Sequence, residues 1–195
     1  MRSLSVSSIS THEPLTLGAV KDHLKIQSTM EDRLVKGYIK AARIILENKI
    51  KCALIPTSFQ MKLDVFRDTV TIPMPPLSST SADVVITYIN STGGTSTCSA
   101  TNYTVDYKST PGKIYLAHDA SWPTDVRDVE GAISVAFRSG YTTATIPENA
   151  KLWLKMRIGV AYLHREPIIQ GGSLNYIKTP FFDGLVDDLF NYSTE

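Results

Sequence analysis

The sequence predicts an α+β protein: a helical core of two long helices plus short helices, into which an antiparallel β lobe of sandwich or barrel-like type is inserted. Three observations carry that reading. Apolar residues recur at helical spacing towards both ends of the 195-residue chain. They recur at every second position in the middle, and Pro, Gly and Asn clusters punctuate that middle stretch at short intervals. The proportions of 43% hydrophobic and 20% charged residues are those of a folded chain with a real core.

Residues 1–14 read as an extended segment. Met1 to Thr11 is rich in Ser and lacks the apolar stretch of a signal peptide. No run approaches the ~20 apolar residues that a membrane-spanning helix needs. The expectation is therefore a chain made and kept in a cytoplasm, with no membrane partner.

The first part of the helical core spans residues 15–56. Thr16 is placed to cap a short helix, Leu17 to Lys25, whose apolar side holds Leu17, Val20 and Leu24. Ser28 followed by Glu31 has capping-box spacing and opens a long helix running to Ile50. Leu34, Tyr38, Ala41, Ala42, Ile45 and Lys49 form its stripe, which Val35, Ile39 and Leu46 widen. So broad an apolar face implies burial on two sides, one against the chain's own core and one against a neighbouring subunit.

The inserted β lobe spans residues 57–145. Phe59, Met61, Leu63 and Val65 alternate with polar residues, and Val70 and Ile72 begin another strand that Pro73, Pro75 and Pro76 end. Val84 to Ile89 is a β-branched run followed by the turn Ser91-Thr92-Gly93-Gly94. Tyr103, Val105 and Tyr107 alternate, Pro111-Gly112 turns into Lys113 to Ala117, and Ile133, Val135 and Phe137 form a last strand before Gly140. Residues 146–170 return to helix, with Pro147 in the first turn, Leu152, Met156, Val160 and Leu163 as the stripe, and Pro167 as the stop. Residues 171–195 follow a Gly171-Gly172 link and read as a mobile segment with a short helix carrying Leu185, Val186, Leu189 and Phe190.

No pattern for chemistry emerges. His12, His23, His118 and His164 never pair at helical spacing, and Cys52 and Cys98 form no C-x-x-C, so no metal site is predicted. Nucleophile-elbow, phosphate-loop and dinucleotide motifs are absent. Gly93-Gly94 suits a hairpin, and Asp183, Asp187 and Asp188 suit the start of a helix. The reading is a non-enzymatic protein with no catalytic residues, no cofactor and no metal. A net charge of +1 argues against tight nucleic-acid binding by bulk charge. The cations Arg33, Lys36, Lys40, Arg43 and Lys49 along the first long helix are read as a solvated face, or, for Arg33, Lys36, Lys40 and Arg43, as the lining of a channel that touches passing DNA weakly.

Several segments, taken in order, resemble a known family. They are Leu15-Thr16-Leu17 with Val20-Lys21 and His23-Leu24-Lys25-Ile26; Glu31-Asp32, Tyr38-Ile39 and Ala41-Ala42-Arg43; and Ala53-Leu54-Ile55-Pro56-Thr57. Ile72-Pro73, Pro76-Leu77, Tyr103 with Val105-Asp106, Pro111-Gly112-Lys113-Ile114, Trp122-Pro123, Gly140-Tyr141, Ile146-Pro147 and Arg165-Glu166 continue the series. Together they resemble the head–tail connector (adaptor, head-completion) proteins of tailed bacteriophages, of the lambdoid siphophage and gene-transfer-agent type. The chain departs from them at Asn48-Lys49-Ile50-Lys51, where the family often has Gly, and in its final residues, which the family often closes with a base.

The resemblance implies a structural protein of the virion neck. It would form a homo-oligomeric ring of about twelve copies joined by a heterologous interface, seated on the portal protein. The ring would extend the DNA channel and offer a platform to the next neck or tail-completion protein. Ring contacts are then expected at Leu34, Tyr38, Ile39 and Ile45, and portal docking at Tyr176, Phe181, Phe182, Leu185, Leu189 and Phe190. Two other readings use the same sequence. One is a tail-terminator or tail-completion ring protein, and the other a small β-rich enzyme whose site assembles only in the fold.

Overall fold

The computed structural model describes residues 3–79, 83–164 and 184–189. Its elements are β1 (Ser3–Ile9), α1 (Leu17–Leu24), α2 (Asp32–Ile50), β2 (Thr57–Leu63), β3 (Thr69–Thr71), β4 (Val85–Ile89), β5 (Thr95–Thr97), β6 (Tyr103–Asp106), β7 (Lys113–Leu116), β8 (Ile133–Ser139) and α3 (Glu148–Leu163). The class is α+β, as the periodicities predict. The chain forms two compact units, a β unit built from Lys51–Thr142 with the N-terminal strand, and a helical unit containing His12–Ile50 and α3.

The β unit has two antiparallel sheets, one in the order β1-β2-β8-β4-β5 and the other β3-β7-β6. Period-two burial explains why they enclose a core. Phe59, Met61 and Leu63 of β2 stand opposite Phe137, Val135 and Ile133 of β8, and all six side chains are buried. Ile86 of β4, Val70 of β3 and Ile114 of β7 join the same cluster. Polar residues take the alternate positions and face outward. Phe59 and Phe137 stack at 5.5 Å between ring centroids, a geometry that adds to the burial itself.

Two strands depart from the sequence reading. Residues 3–9 are not merely extended but pair antiparallel with β2, from Ser3↔Lys62 to Ile9↔Thr57, with an irregularity between Val6 and Ser8. β5, three residues long, closes the other edge of the sheet directly after the Gly93-Gly94 turn. Gly140 ends β8 at φ 120°, where a side chain would be strained. A Cβ there would stand 2.1 Å from the carbonyl oxygen of Ile55.

In the helical unit, Thr16 caps α1 as expected, its Oγ1 accepting from Ala19 N–H at 3.2 Å. α2 begins at Asp32, later than the capping-box spacing suggests. Ser28 Oγ accepts from Met30 N–H, and the carboxylate of Glu31 accepts a hydrogen bond from the hydroxyl of Tyr162 on α3. Lys21 Nζ and Asp32 Oδ1 lie 2.7 Å apart and tie α1 to α2. The buried side of α2 is Val35, Ile39, Ala42, Arg43, Leu46 and Ile50, and that of α3 is Ala150, Trp153, Leu154 and Ile158. Residues 184–189 lie in this unit with Val186 fully buried, and Asn149 Nδ2 donates to Asp188 Oδ1 at 2.9 Å.

Candidate interaction surface

A helix turns about 100° per residue, and on α2 that step separates three sectors. The first is the buried one given above. The second carries Leu34, Tyr38, Ala41 and Ile45, at spacings of four, three and four. Here Leu34 is 37% and Ile45 43% exposed, and Tyr38 is half-buried. The third carries Arg33, Lys36 and Lys40, all exposed, with Ile44 among them.

The candidate ring-contact residues therefore divide. Leu34, Tyr38 and Ile45 share the outward apolar sector. Ile39 is 4% exposed and is a correction: it points into its own unit, because it lies one helical turn from Val35 and Arg43 on the inner side. The candidate channel residues divide too. Arg33, Lys36 and Lys40 face solvent, whereas Arg43 is 3% exposed and is committed to carboxylates of its own chain. Its Nε lies 2.7 Å from Glu13 Oε2, and its Nη1 lies 2.7 Å from Glu47 Oε2, one turn along. Desolvation alone would lower the Arg43 pKa, but the hydrogen bond that it donates to Glu13 and the charges of Glu47 and Glu13 outweigh it, so the pKa is raised.

α3 shows the same division, which the sequence reading missed. Its stripe of Leu152, Met156, Val160 and Leu163 is not the buried face. Leu152, Val160 and Leu163 are exposed, while Trp153, Leu154 and Ile158 point inward. The signal was a second apolar series one residue out of phase, which a single-stripe reading merges with the first.

Of the candidate portal-docking residues, Tyr176, Phe181, Phe182 and Phe190 lie outside the described residues. So do the Gly171-Gly172 link and Pro167. Leu185 and Leu189 are half-buried beside the buried Val186, so this stretch rests on its own unit.

Among the described residues no group of three or more His, Cys, Asp or Glu side chains could hold a metal ion, and no helix is long and apolar enough to cross a membrane. Cys52 and Cys98 are both buried and unbonded to each other. Burial pushes the Cys52 thiol up to about 11.

Compared by sequence, the chain matches no family model and no curated protein. Compared by fold, it is similar to a chain in the neck of an empty GTA particle computed with C6 symmetry, with TM-score 0.76 and 18% identity over 97% of this chain and 95% of that one. A chain in the virion of the native gene transfer agent particle gives TM-score 0.74 and 18% identity over 96% and 95%. A chain in the neck of the native particle computed with C12 symmetry gives 0.70 and 17% over the same shares. The likeness extends over both units, so the α+β architecture with its β insertion is a fold found in such particles.

Proposed function

We propose that this chain is a structural head–tail connector (adaptor) protein of a phage-like particle. It forms a ring in the virion neck, on the portal protein, and has no enzymatic role. The observation that carries the proposal is the shared fold over nearly the whole chain with chains from necks treated with sixfold and twelvefold symmetry.

The surfaces of the helical unit support a ring. Ring closure requires a heterologous interface, in which one patch of a subunit meets a different patch of the next. Two different exposed apolar stripes are available: Leu34, Tyr38 and Ile45 on α2, and Leu152, Val160 and Leu163 on α3. Docking one into the other would bury side chains worth about 1.5–3 kcal/mol each when fully covered. In this reading about twelve subunits close the ring. Tyr176, Phe181, Phe182 and Phe190 contact the portal, and the far side receives the next neck or tail-completion protein. Arg33, Lys36 and Lys40 line the channel. Three exposed cations per subunit on a nearly neutral chain suit transit, since each phosphate neutralised adds affinity that would slow passing DNA.

The test is co-expression with the portal protein of the same genome, followed by electron cryo-microscopy of the purified complex. The expected image is a ring of this chain stacked on the portal with α2 and α3 at subunit boundaries. Failure to co-purify with portal, or a ring seated at the end of the tail tube, would overturn the proposal in favour of a tail-terminator role.

A further inference from the structure

The open edge of the five-stranded sheet presents a second surface, one that does not depend on the neck reading. β1 is the outermost strand among the described residues, so alternate backbone N–H and C=O groups along it point away from β2 with no ladder partner among them. Folded chains guard such edges with charge, proline or brevity. β1 has seven residues with neither charge nor proline, and its one guard is the irregularity between Val6 and Ser8. The irregularity between Val6 and Ser8 keeps Leu4, Val6 and Ile9 opposite Met61, Phe59 and Thr57 on the core side. Val6 and Ile9 nevertheless remain 51% and 50% exposed, so apolar side chains extend past the rim of the core.

The other face of the sheet is polar and one-sided in charge. Ser3, Ser5 and Ser8 stand opposite Lys62, Gln60 and Ser58, which in turn stand opposite Ser134, Ala136 and Arg138. These nine positions hold two cations and no carboxylate. At the end of the edge strand Ser8, Ser10, Thr11, Ser58 and Arg138 line a recess of about 400 Å³. The Arg138 guanidinium makes no hydrogen bond or ion pair among the described residues. Only the small Ser58 and Ser8 separate it from the edge.

We propose that an extended acidic segment of a partner protein adds to β1 as a further strand. Its backbone completes the ladder of β1, its apolar side chains cover Val6 and Ile9, and a carboxylate reaches over Ser8 into the recess to pair with Arg138. Strand addition draws affinity from main-chain bonds and specificity from such side-chain sites. Nucleic acid fits less well, because it has no amide groups for the ladder and two cations neutralise few phosphates. A second copy offering its β5 edge would bring three uncharged residues and leave Arg138 without a carboxylate.

The experiment is fluorescence anisotropy on the full chain. The probes are a labelled peptide of alternating threonine and valine carrying one glutamate, the same peptide with lysine for glutamate, and a labelled single-stranded oligonucleotide. Saturable binding of the glutamate peptide is expected, with the lysine version weaker by roughly tenfold or more. Arg138→Ala should bring the two peptides to equal affinity, and Val6→Lys should abolish binding of both while the far-UV spectrum stays unchanged. If Val6→Lys fails to fold, Ile9→Lys makes the same test. Absence of saturable binding, equal affinity for the two peptides in the parent chain, or preference for the oligonucleotide overturns the proposal. Loss of self-association in Val6→Lys without peptide binding would assign the edge to a second copy and overturn it as well.

Discussion

Arg43 and Glu13 meet at two points although thirty residues separate them. Nε lies 2.7 Å from Oε2 and Nη2 lies 3.3 Å from Oε1. The two-pronged contact uses the planar fork of arginine and fixes the segment before α1 against α2. Glu47 holds the remaining side of the fork.

Arg43→Ala should therefore lower stability by about 3 kcal/mol, because it strands two carboxylates beside a buried site. Arg43→Lys should recover only part of the loss, since an ammonium cannot serve both partners in the same geometry. Urea unfolding of the three proteins checks this. A loss below about 0.5 kcal/mol in Arg43→Ala, the range of ordinary surface changes, would show that the cluster is not structural.

Ile39 and Ile45, both on α2, should respond oppositely to the same change. Ile39→Asp places a charge in the buried sector and should unfold the chain or lower its melting temperature by about 10 °C or more. Ile45→Asp lies in the exposed sector and should shift melting by no more than about 2 °C. It should nevertheless prevent ring assembly, read by native mass spectrometry with portal. Normal rings from Ile45→Asp, and from Leu34→Asp beside it, would remove this sector from the interface.

Gly140→Ala should be among the most damaging single-methyl changes in the β unit. At φ 120° the strain of an L side chain is compounded by the 2.1 Å approach of the new Cβ to Ile55 O. The neighbour is backbone, so it cannot swing aside. A loss of about 3 kcal/mol or more is expected, and denaturant titration measures it. A melting temperature equal to that of the parent would contradict the close approach.

Cys52 should react slowly with iodoacetamide. With its pKa pushed up to about 11, roughly one thiol in a thousand is ionised at pH 8, and the thiolate is the nucleophile. The sign follows from desolvation: the folded state disfavours the anion, so labelling should accelerate sharply in urea. Stability contributed by keeping the neutral thiol buried is fully present at neutral pH and is lost as pH rises from the ordinary thiol range towards 11, because the unfolded chain ionises first. Labelling of the folded protein at the rate of a free thiol would refute this environment.

How much was legible in the sequence depended on the distance over which each signal acts. Strict alternation at Phe59, Met61 and Leu63 placed β2 correctly, because pairing on both sides left one clean face. β1 was read only as extended, because its serines carry no strand signal and the irregularity after Val6 breaks the alternation. α2 and α3 were found, yet their inner and outer faces were confused. When two sectors of a helix are apolar, spacing alone does not say which faces the core. Arg43 looked like one of four solvent-facing cations, since nothing local to α2 announces Glu13. The exposed apolar sectors thus lie on the helices that the spacing marks, at partly different residues.

The division of the chain into two units has a consequence in time. The described strands of the β unit have all been made by Thr142, since its N-terminal strand is already at hand. The helical unit cannot be: α2 closes at Ile50, but α3 does not begin until Glu148. Val35, Ile39 and Leu46 must therefore wait, exposed, through the synthesis of the whole intervening insertion. Domains form as units while the nascent chain lengthens, and waiting apolar surface is where aggregation starts. A ribosome-bound chain stalled soon after Thr142 should already resist protease across the β strands while α2 is still cut. The exposed apolar stripes proposed as the ring contact thus belong to the unit whose helices are brought together last.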